Sequence, residues 1–132
     1  MIHSPYIRKP ASVQRVMGLV LLALMPGVAA YAYKVGAGIF VNLAIASLTA
    51  IAAEALVMSL RKRPVAIAVT DLSAVVTAWL VALCFPPIVP WWLLVTAVLV
   101  AIVVAKHLFG GLGQNPFNPA MVAYCSMIVA YP

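Results

Sequence analysis

Between Arg15 and Arg61 the chain carries only two charged side chains, Lys34 and Glu54, and between Pro64 and Lys106 it carries one, Asp71. Apolar runs this long constrain the fold more than any other feature of the sequence. Of the 132 residues, 67% are hydrophobic and 8% are charged, whereas a soluble domain carries about 25% charged residues. In water such a chain would leave much apolar surface exposed, while a bilayer solvates apolar side chains directly and leaves only the backbone to be satisfied by helices. The sequence therefore predicts an integral membrane protein.

The net charge of +6 is explained by where the basic residues fall. Arg8, Lys9 and Arg15 precede the first apolar run, Arg61, Lys62 and Arg63 separate two runs, Lys106 ends another, and Lys34 stands alone. Charge gathered in short connections marks a membrane face, and no basic patch is interleaved with aromatics for base stacking, so nucleic acid is not an expected partner. Membrane lipid is. Cys84 and Cys125 form no CxxC pair and have no metal-ligand spacing. They read as small apolar residues and not as ligands of a cluster or zinc. The basic opening is followed by further apolar runs and by no small-residue cleavage site, so no removable signal peptide is expected.

Five apolar segments are predicted, at about 16–33, 37–60, 65–86, 91–108 and 119–132. The first four are about long enough to cross a ~30 Å hydrocarbon layer as helices. Lys34 with Gly36 and Gly38, Arg61 to Pro64, Pro86 to Pro90, and the loop from Gly110 to Pro119 supply the breaks, the charge clusters and Pro/Gly turns expected between helices. Alternate connections place seven basic residues on one side and Lys34 on the other. By the positive-inside rule the N-terminus and the loops at 61–64 and 107–118 are cytoplasmic, and Trp91, Trp92, Tyr31 and Tyr33 fall at the outer interface. The expectation is an all-α, polytopic membrane helix bundle of about five transmembrane helices with a cytoplasmic N-terminus. The last segment begins with Asn118 as a cap and Pro119 in the first turn, but is too short to span. Residues 1–132 are accordingly expected to be the N-terminal membrane domain of a longer subunit.

Two acids lie inside apolar spans, Glu54 and Asp71. Each is about six residues from the expected cytoplasmic end of its helix, or ~9 Å deep at ~1.5 Å per residue. Ionisable groups in lipid are costly, which makes both candidates for an ion pathway facing one polar cavity. The other reading pairs Glu54 with the 61–63 cluster and Asp71 with a nearby hydroxyl or backbone group. Thr70, Ser73 and Thr77 share one helical face and suit interhelical hydrogen bonds. In the stretch Gly110-Gly111-Leu112-Gly113-Gln114-Asn115-Pro116-Phe117-Asn118-Pro119-Ala120, a dinucleotide fingerprint is excluded because Pro116 stands where glycine is required and no strand precedes it. The glycines can instead let backbone approach a ligand, and Asn115 and Asn118 offer both donors and acceptors to a flavin edge or a quinone carbonyl. As structure alone, the same stretch is a glycine turn followed by an Asn cap.

The run from Gly110 to Met121, Ala53-Glu54-Ala55-Leu56-Val57, Asp71-Leu72-Ser73-Ala74-Val75-Val76-Thr77, and Pro86-Pro87 followed by Pro90-Trp91-Trp92 resemble the RnfD subunit family, which includes a homologue in sodium-pumping NADH:quinone reductase. The resemblance covers essentially the whole chain. Leu72 departs from it, since glycine or a small polar residue is expected there. The resemblance implies a subunit of a six-subunit Rnf-type complex in the bacterial cell inner membrane. That complex passes electrons between ferredoxin and NAD and couples them to Na+ or H+ movement. It also implies a non-covalent riboflavin near the cytoplasmic side, close to Gly110, Gly111, Gly113, Asn115 and Asn118, and an FMN held covalently by a threonine in a Ser/Thr-Gly-Ala-Thr type motif. That motif does not occur in these 132 residues, so no threonine here is assigned FMN. Two other functions compete with a redox subunit. Asn118-Pro119-Ala120 matches the half-helix cap of aquaporin-like pores and would fit a channel or carrier, although such pores use two copies. A pure assembly scaffold is the third.

Overall fold

The computed structural model describes residues 12–111 and 116–132, and these form helices joined by short turns. Helix α1 (Val13–Val35) starts at Ser12, whose hydroxyl accepts from the Arg15 amide, and ends at Gly36. A φ of +121° at Gly36 is a conformation that side chains resist, which is why glycine stops the helix there. Helix α2 (Gly38–Leu60) follows almost at once. Both α1 and α2 are 23 residues long and apolar enough to cross a membrane.

The single helix expected over 65–86 is instead two. Helix α3 (Val65–Thr70) stops at Asp71 and helix α4 (Ser73–Cys84) restarts one residue later. The hinge is Leu72, at φ +64°, ψ 3°. This left-handed conformation breaks the ladder and is disfavoured for a leucine. The position where the family resemblance calls for glycine or a small polar residue is thus one whose backbone conformation favours glycine. Helix α5 begins at Trp91 and is regular to Leu99, then continues through Val100–His107 with wider π-helical turns. The last helix, α6 (Pro119–Ala130), starts as expected on an Asn118 cap with proline in its first turn. The segments 73–84, 91–107 and 119–130 are shorter than α1 and α2.

The core is a seam of alanines. Ala46, Ala50 and Ala53 of α2 face Ala74, Ala78 and Ala82 of α4, all buried. The α2–α4 pair is the most extensive contact in the bundle. Small side chains let two backbones approach closely, which matters in lipid, where apolar side chains gain nothing by leaving the solvent. Leu94, Val98 and Ile102 of α5 and Ala123 and Met127 of α6 close the seam from the other side. Helix α1 is peripheral. Only Val28 of it is buried, and it is tied to the bundle by the Tyr31 hydroxyl, which donates to the Phe85 carbonyl at 3.3 Å. Leu19, Leu22, Leu48, Leu56 and Ile88 are exposed, an arrangement suited to surroundings of lipid or of other apolar helices.

Candidate functional site

Against this apolar background, five polar groups meet at the end of the bundle that carries the 61–64 turn. Glu54 lies on the same face of α2 as the alanine seam, one turn beyond Ala50, so the packing that buries Ala53 also buries Glu54, which is 2% exposed. A carboxylate there requires partners. They come from the far end of α5: the Lys106 ammonium donates to both carboxylate oxygens at 2.9 Å, and His107 Nε2 lies 3.0 Å from Oε2.

Two neighbouring residues reach the same carboxylate because of the π-helical turns. The amides of Leu108 and Gly111 donate to the carbonyls of Val103 and Lys106, each spanning five residues, and such widened turns often bring extra side chains to one place at functional sites. The carbonyl of His107 is met from outside by the Arg61 guanidinium. Gly110 and Gly111 then reverse the chain at φ +110° and +102°. A Cβ on Gly111 would meet nothing within 4 Å, so it is the backbone conformation and not crowding that requires glycine there.

The third donor of Lys106 goes to Ser73 Oγ, at 2.7 Å. Ser73 is the first residue of α4, and its hydroxyl and amide both donate to Asp71 Oδ1, at 2.8 and 2.9 Å. Asp71, one residue before the Leu72 N-cap, thereby satisfies the first amide of the restarted helix and sets a negative charge at its N-terminus. The left-handed Leu72 turns the chain so that this contact can form. Glu54, Lys106, His107, Ser73 and Asp71 make one connected network from three helices.

Glu54, Asp71, Gly110 and Gly111, four of the residues singled out in the sequence, line one cavity of about 420 Å³ beside this network, together with Arg61 and Arg63. Gly113 and Asn115 lie outside the described residues. Asn118 is elsewhere: its Oδ1 accepts from the Ala120 amide at 2.9 Å, and it lines a separate open hollow with Phe117, Met121 and Val122. Glu54 does not pair with the 61–63 cluster, since its partners are Lys106 and His107. The shared hydroxyl face of 70, 73 and 77 is not an interhelical seam. Thr70 and Thr77 return their hydrogen bonds to Ala66 and Ser73 of the preceding turn, and only Ser73 reaches across.

Sequence reasoning set Lys106 and His107 inside the segment 91–108 but read Lys106 only as a basic residue at the membrane face, and so missed both as partners of Glu54. A signal was present: Lys106 follows the apolar run 91–105 without a break and stands four residues before the first glycine, which is where a helix still continues. Among the described residues no group of three or more His, Cys, Asp or Glu could hold a metal, and Cys84 and Cys125 are both free thiols.

The family model for NQR2, RnfD and RnfE matches residues 1–132. Among curated proteins, the D component of the ion-translocating oxidoreductase complex of Vibrio cholerae serotype O1 (strain ATCC 39541 / Classical Ogawa 395 / O395) is 50% identical over 129 residues, 98% of this chain and 37% of that relative. The protein of the same name from Escherichia coli (strain K12 / DH10B) is 46% identical over the same shares of both chains. The chain thus spans 37% of the length of these relatives.

Proposed function

Because this chain belongs to the NQR2, RnfD, RnfE family, we propose that it is the N-terminal membrane domain of a flavin-carrying subunit in an ion-translocating oxidoreductase complex. The observation that carries this reading is the buried network of Glu54, Lys106, His107, Ser73 and Asp71. Hydrophobic residues would hold three helices together at least as well, so charge kept at such a depth points to ion movement. The relatives' names speak of ion translocation and oxidoreduction. The complex is of the six-subunit Rnf type, sits in the bacterial inner membrane, and couples ferredoxin/NAD electron transfer to Na+ or H+ movement.

In this reading the helices form about five spans, with α3 and α4 together making one, and the 61–64 turn is cytoplasmic by its basic residues. Glu54 and Asp71 lie on the ion pathway, and the cavity beside them opens at that face. The hollow next to Asn118 suits a flat heteroaromatic ring: Phe117, Met121 and Val122 supply apolar wall, and the Asn118 amide adds a donor at the rim. A riboflavin bound there would supply electron transfer. The chain's part is to hold it, with Asn118 held by its own cap to Ala120 and by the neighbouring Pro119. The covalent FMN of the family is assigned to no residue here.

The test is purification of the full-length protein within its complex, acid extraction and chromatographic identification of the released flavin, with ion uptake measured in vesicles. Riboflavin in the extract and uptake driven by electron transfer are expected. A colourless complex that still moves ions would overturn the redox reading in favour of a channel or carrier.

A further inference from the structure

Lys106 is held by its surroundings in the way a bound cation would be. Its ammonium meets both oxygens of Glu54 and the hydroxyl oxygen of Ser73, all within 2.9 Å. The Ser73 hydroxyl hydrogen is turned away towards Asp71, which leaves its oxygen lone pairs facing the ammonium. Three oxygens, one carboxylate at contact and a second acid behind the hydroxyl are a donor set for a hard monovalent cation as much as for an ammonium. Arg61 is engaged with the His107 carbonyl, and His107 takes only one edge of Oε2.

We infer that Glu54, Ser73 and Asp71 form a cation seat in which Lys106 is a tethered, exchangeable occupant, and that an alkali cation takes the seat when Lys106 withdraws. The geometry supplies the means. Lys106 itself lines the cavity of about 420 Å³, whose wall also includes Arg63, Gly110 and Gly111. An ammonium on four methylenes can swing into that space by changing rotamers, with the helix backbone in place. The incoming ion arrives through the same space. The exchange moves no proton: Ser73 keeps its hydrogen bond to Asp71, and Glu54 exchanges one positive partner for another. The seat is never left as a bare buried carboxylate, which is the state that costs most.

This inference rests on the ion-translocating reading and deepens it by naming the group that competes with the ion. Two measurements on the purified full-length chain test it, with Na+ replaced by choline at constant ionic strength. In the wild type, the rate at which an amine-reactive reagent labels Lys106, read by mass spectrometry, should rise several-fold in Na+, because the displaced ammonium enters the cavity. In Lys106→Met, which vacates the seat, the melting temperature should climb with Na+ concentration, as it does for any ligand that binds only the folded state. Glu54→Gln/Lys106→Met, which removes the carboxylate as well, should melt independently of Na+. Labelling unchanged by Na+, or a folded Lys106→Met that melts independently of Na+, overturns the inference. If Lys106→Met does not fold, the labelling result decides alone. A complex that translocates no ion, while Na+ still displaces Lys106 and stabilises Lys106→Met, would refute the functional reading and leave the seat standing.

Discussion

The charge network gives the sharpest energetic prediction through a double-mutant cycle at Glu54 and Lys106. Glu54→Gln keeps one acceptor oxygen but replaces the other with an NH2 group that faces the donors of Lys106, now a buried cation without a counter-charge. Lys106→Met removes the cation and leaves the carboxylate with His107 alone. Both side chains are 3% exposed, so solvent cannot compensate, and breaking one side of such a pair costs about 3–5 kcal/mol. The lower part of that range applies here, since in a membrane the unfolded helices also find partners for their polar groups. The double variant has no stranded charge, and replacing a buried ion pair with neutral groups is often close to neutral. It should therefore be more stable than either single variant, with a coupling energy on the order of 3 kcal/mol. The assay is unfolding of the full-length chain in mixed detergent and dodecyl sulfate micelles, followed by tryptophan emission. Trp79 of α4 donates to Ser47 of α2 at 3.1 Å and so reports separation of the helices that carry Ser73 and Glu54. If the two single effects simply add, the ion pair does not stabilise the α2–α5 contact and the account of the network is wrong.

Further predictions concern the hinge, the loop and the orientation. At Leu72, whose φ of +64° suits glycine, Leu72→Gly should be more stable than Leu72→Ala by about 1 kcal/mol; the usual helix order, with Ala above Gly, in the same unfolding assay would show that the hinge is not strained. Asn115→Leu/Asn118→Leu should release non-covalent flavin from the complex and leave any covalent flavin bound, each lost buried hydrogen bond costing about 1–3 kcal/mol. Asn118→Ser, which keeps an oxygen for the Ala120 amide, serves as the control for the cap, and normal riboflavin in extracts of the Leu variant would show the loop to be only a turn. Asp71→Asn retains an oxygen for the Ser73 amide and should assemble normally while ion uptake falls; lost assembly with normal uptake per complex would make the acid structural. Single cysteines at Lys62 and Val89, in a chain lacking Cys84 and Cys125, should label from opposite faces of the membrane, and labelling of both from one face would rule out the proposed topology.

What the sequence determined by itself was whatever depends on local chemistry and on the solvent. Apolar runs with almost no charge require a surrounding other than water, and Gly36, Arg61 to Pro64 and Asn118-Pro119 interrupt or start helices through conformational preferences that act within a few residues. These features placed most helix boundaries and the cap of α6. The tertiary structure decided which buried charge meets which. Glu54 needed a partner wherever it went, since a lone carboxylate in the bundle is too costly, but Arg61 to Arg63 were nearby in the chain and Lys106 was 52 residues away. The choice followed from how α5 packs against α2, and from the π-helical turns that bring Lys106 and His107 onto one carboxylate. The break at Leu72 belongs to the same class. No glycine or proline announces it, and leucine disfavours it, yet it persists because Asp71 accepts from the first amide of α4 while Ser73 is drawn to Lys106. A side chain's own preference is worth about 1–2 kcal/mol, and a buried charge network outweighs it.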